Sequence, residues 1–276
     1  MPQSILITGC SSGIGYDAAH TLHKQGWQVF ATCRQQVDCD RLRTEGLNSL
    51  VLDYADEASI KQALAQVLDQ TGGTLDALYN NGAFAQPGLV QDYPRDALRA
   101  IFEVNLFGYF DLINQVLPVM FKQGHGRIIN CSSVLGLGAL RARGAYNSTK
   151  FAMEGLTDTL RLELRKTPIH ICLIEPGPIT TDIRTKAQPH FEKWIDWEKS
   201  QGRLFYEKQL IPRLYATNTT PDFGELPASA VTKKLIHALT SNRPKPRYYV
   251  TVPTYMVGIM KRLLSTRALD RVLGRM

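Results

Sequence analysis

The chain has 276 residues, 44% of them apolar, and a formal net charge of +7. That length suits one α/β domain that buries a core without disulfides, and the apolar share excludes wholesale disorder. The basic surplus suits acidic partners, such as a phosphate-rich cofactor or an anionic lipid surface, and no recognised nucleic-acid motif accompanies it.

The amino terminus shows no charged leader and enters a strand over 5–7 directly, so no signal peptide is expected. A helical pattern over 14–25 follows, closed by Gly26. Strands are predicted over 27–32 and 49–52, then a helix over 57–71 stopped by Gly72 and Gly73. A strand over 75–79 precedes a long helical region over 95–122, with a kink expected at Pro118. A strand over 127–131, a helix over 146–166 and a strand over 169–174 complete the regular part. The pattern loosens over 180–227, where Phe191, Trp194, Trp197, Phe205, Tyr206 and Tyr215 stand among charges. It resumes with a helix over 228–241 and a short strand over 248–250.

Strands alternating with helices imply parallel pairing with right-handed crossovers. The expected fold is α/β: a single Rossmann-type doubly wound parallel sheet with helices on both faces and a substrate lid after the sixth strand. One domain over 1–276 is expected, with a cofactor-binding and catalytic core over 1–184, the lid over 185–227, and a helix, strand and basic amphipathic tail over 228–276. No run of 18 apolar residues appears, so no spanning helix is expected, and a cytoplasmic location is. Cys10, Cys33, Cys39, Cys131 and Cys172 follow neither zinc-ribbon nor CxxC spacing. They read as apolar-filling thiols, and no metal site is expected.

Two constellations carry chemistry. Thr8-Gly9-Cys10-Ser11-Ser12-Gly13-Ile14-Gly15 occupies the first strand-to-helix junction, where Gly9, Gly13 and Gly15 permit a tight turn and a helix N-terminus faces a pyrophosphate. Downstream stand Ser133, Tyr146 and Lys150. Tyr146 and Lys150, four apart on a helix, share a face. An ammonium beside a phenol is expected to favour the phenolate, so that Tyr146 exchanges a proton with an alcohol or carbonyl oxygen. The second strand ends Thr32-Cys33-Arg34 with no acid to bind a ribose 2′-hydroxyl. Arg34, helped by Ser11, would instead bind a 2′-phosphate, which favours NADP(H). Ser132 competes with Ser133, but strand alternation turns Ser132 away.

The glycine spacing, with Asn80-Asn81-Gly82-Ala83, Asn105, Ser133, Tyr-x-x-x-Lys and Pro176-Gly177 in that order, resembles the short-chain dehydrogenase/reductase family over residues 3 to 182. The whole chain looks most like bacterial NADP-dependent aldehyde reductases related to retinol and 17β-hydroxysteroid dehydrogenases. The resemblance implies Tyr146 as acid/base, Ser133 holding the substrate oxygen, and Lys150 on the nicotinamide ribose. It implies that Asn105 anchors a water linking Lys150 to solvent, and that Asp53 receives the adenine amino group, a turn cap being the alternative. It places Asn81, Pro176 and Gly177 along the cofactor, with Ile179 at the carboxamide and Thr181 at a phosphate. One departure is the order Gly82-Ala83 in place of Ala-Gly, expected to shift the one φ-permissive residue beside the ribose.

The expected function is hydride transfer between NADP(H) and a carbonyl or alcohol. Medium- or long-chain aldehydes, retinal-like polyenes and steroid-like ketones are the candidate substrates, because the lid aromatics suggest an apolar pocket; the alternative is that they only pack the lid. Competing classes are an NADP(H)-binding redox sensor without turnover and a nucleotide-sugar epimerase. A homodimer or homotetramer is expected. The tail from Tyr255 to Leu264 suits peripheral contact with anionic lipid or another subunit.

Overall fold

The computed structural model describes residues 3–217 and 220–274. Its strands are β1 (Ser4–Ile7), β2 (Gln28–Cys33), β3 (Asn48–Val51), β4 (Ala77–Asn80), β5 (Gly126–Cys131), β6 (Ile169–Glu175) and β7 (Arg247–Tyr249). They form one parallel sheet in the order β3-β2-β1-β4-β5-β6-β7. The chain builds outward from β1 in one direction and then from β4 in the other. The crevice at this reversal, outside the carboxyl ends of β1 and β4, is where such sheets bind ligands.

Each strand feeds both layers. Ile5 and Ile7 face one core with Val29, Ala31, Ile129 and Ile174, whereas Leu6 faces the other with Phe30, Leu78, Ile128 and Leu173. Two buried faces explain why the strands read as continuous apolar runs. Helices α1 (Gly13–Lys24), α2 (Gln36–Thr44) and α10 (Ala228–Thr240) bring Leu22, Leu42 and Leu235 to the first face. Helices α3 (Glu57–Thr71), α5 (Gly108–Gln123) and α6 (Gly144–Glu163) bring Leu64, Leu112 and Met153 to the second. Local chemistry sets the ends of α3: the Asp56 carboxylate accepts from Ala58 N at 2.9 Å, and Gly72 closes it in the left-handed region.

The structure departs from the sequence expectations in several elements. Helix α2 was not expected; its residues are mostly polar, and Cys39 and Leu42 alone are buried. The long helical region is interrupted, with α4 (Arg95–Phe102) passing through a π-helical turn, Glu103–Phe107, into α5. Pro118 lies inside α5 without ending it. The stretch expected to be loose contains α7 (Ile183–Trp194), α8 (Arg203–Phe205) and α9 (Ile211–Leu214), and the tail forms α11 (Val252–Leu263) and α12 (Thr266–Leu273). All five cysteines are free and buried, and burial pushes the Cys33 thiol up to about 12, which suits packing groups.

A partly buried ionic cluster ties β7 to the helix that carries Tyr146. Arg247 donates from Nη2 to Glu154 at 2.8 Å and to Asp158 at 2.8 Å, and from Nε to Glu175 at 3.1 Å. One oxygen each of Glu154 and Glu175 is buried without a hydrogen-bond partner. Burial, then the neighbouring Glu154 charge, pushes the Glu175 carboxyl up to about 9. A carboxyl raised in the fold favours folding while protonated, so this contribution is lost as pH climbs from the ordinary value of 4.5 toward 9. Glu175→Gln, which mimics the protonated form, should raise the Tm at pH 8 by about 2–4 °C or more, with the difference closing near pH 5. A lower Tm at pH 8 in thermal melts would reject this account of the cluster.

Candidate active site

The glycine turn closes on itself. Gly9 (φ +70°) and Gly13 (φ +60°) hold conformations that side chains resist. A Cβ on Gly9 would stand 2.5 Å from Gly82 Cα, and one on Gly15 would collide with the Gly9 carbonyl. Thr8 Oγ1 accepts from Asn81 N at 2.9 Å and from Gly82 N at 3.1 Å, which sews the ends of β1 and β4 together. Gly82 does not use positive φ. The expectation about the Gly82-Ala83 swap is corrected accordingly: what this position provides is room for Gly9.

Several features of the cradle fit a nucleotide bearing phosphates. Ser12 caps α1 with extended backbone and no side-chain cap bond, and the first turn carries no acid, so the leading N–H groups and the positive helix end face outward. The Lys186 ammonium, from α7, lies over this end at 2.5 Å from Ser12 Oγ and 3.5 Å from Ser11 Oγ. Thr181 packs its methyl against Gly13, 3.0 Å from where a Cβ would be. Ile14 is half-buried behind the turn. Arg34 is exposed just beyond β2, and among the described residues it makes neither an ion pair nor a side-chain hydrogen bond.

Other expected cofactor residues are engaged by the protein. Asn81 Nδ2 donates to Thr8 O at 3.0 Å and Gly9 O at 3.4 Å, so this side chain braces the turn. One Asp53 oxygen accepts from Ala55 N at 3.0 Å, the turn-cap arrangement. Pro176 O accepts from Val134 N at 2.7 Å, tying the loop after β6 to the loop after β5. A Cβ on Gly177 would collide with Thr251 Oγ1. Ile179 bridges to Leu226, and its carbonyl accepts from Thr181 Oγ1 at 3.4 Å.

The reactive trio converges where β5 meets α6. Lys150 is 1% exposed, and its ammonium donates to the Cys131 carbonyl at 2.8 Å. The same nitrogen lies 5.5 Å from the Tyr146 ring centroid and 5.7 Å from that of Tyr109. Ser133 Oγ accepts from Leu135 N at 3.1 Å. Ser132 Oγ is buried without a partner and points elsewhere, close to Gly136. Asn105 is fully buried in the π-helical turn; its amide accepts from Phe84 N at 3.1 Å and donates to Phe84 O at 2.9 Å. A π-turn inside a helix is common at functional sites.

The electrostatics correct one expectation. Burial pushes the Tyr146 phenol well above its ordinary range, and the Ser133 hydroxyl only partly opposes that. Burial also lowers the Lys150 ammonium. Burial thus disfavours the charged form of each group.

Phe84, Phe102 and Leu135 are partly buried and pack against the small cluster of Ile101, Ala145 and Tyr146. Phe84 stacks on His190 of α7 at 3.9 Å between centroids. The lid aromatics behave differently from the expected pocket lining. Phe191 and Tyr206 are buried in the lid's own cluster with Leu210 and Leu214, and Tyr206 Oη donates to Asp92 at 2.7 Å. An open groove of about 620 Å³ between Leu89, Val90, Arg141 and Gly202 runs along the lid. The sequence reading missed Arg41, which lies on the unexpected α2 and donates to Ser11 O at 2.7 Å. It also missed Lys186, whose only sequence signal was its place in a basic stretch.

A family model for short chain dehydrogenases matches residues 3–191. The chain is 36% identical over 274 residues to the uncharacterized oxidoreductase YbbO of Escherichia coli K12, covering 99% of this chain and 94% of that one. It is 30% identical over 275 residues to an NADPH-dependent 3-dehydrocapnine reductase of Ornithobacterium rhinotracheale, covering 97% and 94%. The solved short-chain dehydrogenase of Streptomyces avermitilis superposes with a TM-score of 0.79 at 25% identity, covering 100% of this chain and 97% of that one. With the glycine turn, the parallel sheet and the Ser133–Tyr146–Lys150 cluster, these matches place the chain in the short-chain dehydrogenase family of oxidoreductases.

Proposed function

We propose that this oxidoreductase is an NADP(H)-dependent carbonyl reductase acting on apolar aldehydes or ketones. The observation that carries the proposal is the buried Lys150 ammonium, held by the Cys131 carbonyl with its nitrogen 5.5 Å from the Tyr146 ring. NADPH would supply the hydride, and its oxidised, positive ring would favour the phenolate. Tyr146 carries the proton to or from the substrate oxygen, and Ser133 Oγ steadies that oxygen. Lys150, donating to the Cys131 carbonyl beside Tyr146, would hold the nucleotide ribose. Asn105 fixes the π-turn behind them. Gly9, Ser11, Ser12, Gly13, Ile14, Gly15 and Thr181 would hold phosphates at the positive end of α1, with Arg34 binding the 2′-phosphate. Asp53 and Asn81 would serve the adenosine side of the nucleotide, and Pro176, Gly177 and Ile179 the nicotinamide side.

Preference for NADP(H) rests on the unpaired Arg34 and the absence of an acid at the end of β2. The relative from Ornithobacterium, NADPH-dependent by name, supports it. The apolar substrate class rests on Phe84, Phe102 and Leu135, packed against the cluster that holds Tyr146. Pairing into a homodimer or homotetramer is supported by the exposed Phe107, Phe110 and Phe121 of the π-turn and α5 and by Leu162 of α6.

Tyr146→Phe should cut kcat with an aliphatic aldehyde by about 10²–10⁴-fold while NADPH fluorescence still reports binding. Near-normal turnover in that variant would end the assignment. Arg34→Ala should weaken NADPH about tenfold or more and leave NADH almost unchanged, as measured by the two dissociation constants. Equal losses for both nucleotides would count against the 2′-phosphate contact. Without nucleotide, wild type and Tyr146→Phe should show the same tyrosinate absorbance up to pH 9, because burial holds this phenol neutral. A phenolate band at pH 8 that the variant lacks would contradict it.

A further inference from the structure

Helix α11 is apolar on two opposite faces. Thr254, Val257 and Gly258 are buried against the protein. Val252, Tyr255, Met256, Ile259 and Leu263 are exposed, at 57%, 46%, 41%, 54% and 77%. Their spacing of i, i+3, i+4, i+7 and i+11 puts them in one straight stripe on the outer face. Phe223, 72% exposed, extends the apolar surface at the start of the helix, where Gly224 packs against Pro253. A stripe of large apolar side chains turned to solvent marks a contact surface.

Charge says what lies against it. From residue 226 to residue 269 the chain has no aspartate or glutamate, but it has Lys233, Lys234, Arg243, Lys245, Arg247, Lys261, Arg262 and Arg267. Lys261 stacks over Phe151, and Arg247 is held in the partly buried cluster. Arg262, one residue before Leu263, flanks the stripe, and Arg267 and Arg271 follow on α12 with Asp270 as that helix's single acid. A second copy of the chain would bring an equally basic segment to the contact, with almost no acid to pair with it. An anionic bilayer offers negative headgroups to the arginines and an acyl boundary to the stripe.

We propose that the outer face of α11, with the arginines of α12, docks this enzyme on an anionic phospholipid surface. The helix lies in the interface plane with Val252, Ile259 and Leu263 immersed. Among the described residues no helix is long and apolar enough to cross a membrane, so this is surface attachment. The docked face is one packing layer from the reaction centre. Val257 of α11 and Leu273 of α12 lie against Gly138 in the loop after Ser133, where a Cβ would stand 2.7 Å from Val257 and 3.3 Å from Leu273. Thr251 and Thr254, at the start of α11, hold Gly177. If the apolar-substrate reading holds, the bilayer is the reservoir from which the substrate reaches Tyr146; the attachment itself does not depend on that reading.

The test is flotation of the full-length protein with vesicles of phosphatidylcholine containing 30% phosphatidylglycerol, beside pure phosphatidylcholine. Wild type should float with the anionic vesicles and be released by raised salt, and it should stay behind with the neutral ones. Arg262→Gln with Arg267→Gln should weaken binding by about fivefold per base, roughly thirtyfold for the pair. Ile259→Asp with Leu263→Asp should abolish it, with retained NADPH binding and an unchanged melt certifying the fold. Failure of wild type to float, or equal flotation of the arginine variant, overturns the proposal. So does a stripe variant that changes the assembly state in light scattering while wild type ignores vesicles, since the occupant is then a second copy. Flotation reads no turnover, so its failure leaves the proposed reaction standing, and an inactive enzyme that floats leaves the docking standing.

Discussion

A charged lysine sealed from water is the constraint on which the rest of the site depends. Burying an ammonium is costly unless it gains a partner of its own. Lys150 finds the Cys131 carbonyl, at the end of β5, and aromatic faces from Tyr109 and Tyr146. That single bond fixes the distance between the last residue of a central strand and the second turn of α6. Tyr146 and Ser133, on either side, inherit their positions from it. Losing the carbonyl geometry would leave the charge without a partner, so the helix and the strand end cannot drift apart cheaply.

A line of buried polar side chains holds the sheet ends in register with this pair. Thr8 shares a 2.8 Å hydrogen bond with Tyr54, and Tyr54 donates to Asn80 at 2.6 Å. Asn80 donates to Asn130 at 3.0 Å, and Asn130 donates to Thr157 of α6 at 2.9 Å. The line runs from β1, which carries the glycine turn, through β4 and β5 to the helix that carries Tyr146. Each member has its partner, which is the condition under which a buried network specifies one arrangement. The glycine turn and the Ser133–Tyr146–Lys150 cluster are therefore parts of one rigid construction, as chemistry that depends on near-contact distances requires.

Much of this was legible in the residues, and the reasons differ by element. The buried strands advertise themselves because both faces of the sheet are covered, leaving unbroken apolar runs such as Ile5-Leu6-Ile7. The glycine turn was legible because Gly9 and Gly13 must adopt positive φ and Gly15 must pass a carbonyl. Helix α2 was hidden, since burial of Cys39 and Leu42 alone leaves too faint a periodicity among its charges. The π-turn at Asn105 left no trace in a period-3.6 pattern, because one added residue per turn is a tertiary accommodation. The lid aromatics left two readings open for a simple reason: composition says that a ring must be covered, but not whether substrate or Leu210 covers it. Balance between charge attraction and desolvation at Tyr146 is likewise invisible to spacing, which gives the neighbour but not the dielectric around it.

The lid adds a last constraint. It carries a core of its own, with Phe191, Ile195, Tyr206, Leu210 and Leu214 packed together. Its links to the rest of the chain are apolar, through Ala142, Ala85, Leu89 and Tyr93 packed against that core, and polar. Lys186 reaches Ser12, Gln86 Nε2 donates to His190 O at 3.2 Å, and Leu89 N donates to Tyr206 Oη at 2.8 Å. The first of these is special, because the hydroxyl is a poor partner for an ammonium and the site around it is the positive end of α1. An anion placed there would satisfy the helix end and the lysine together.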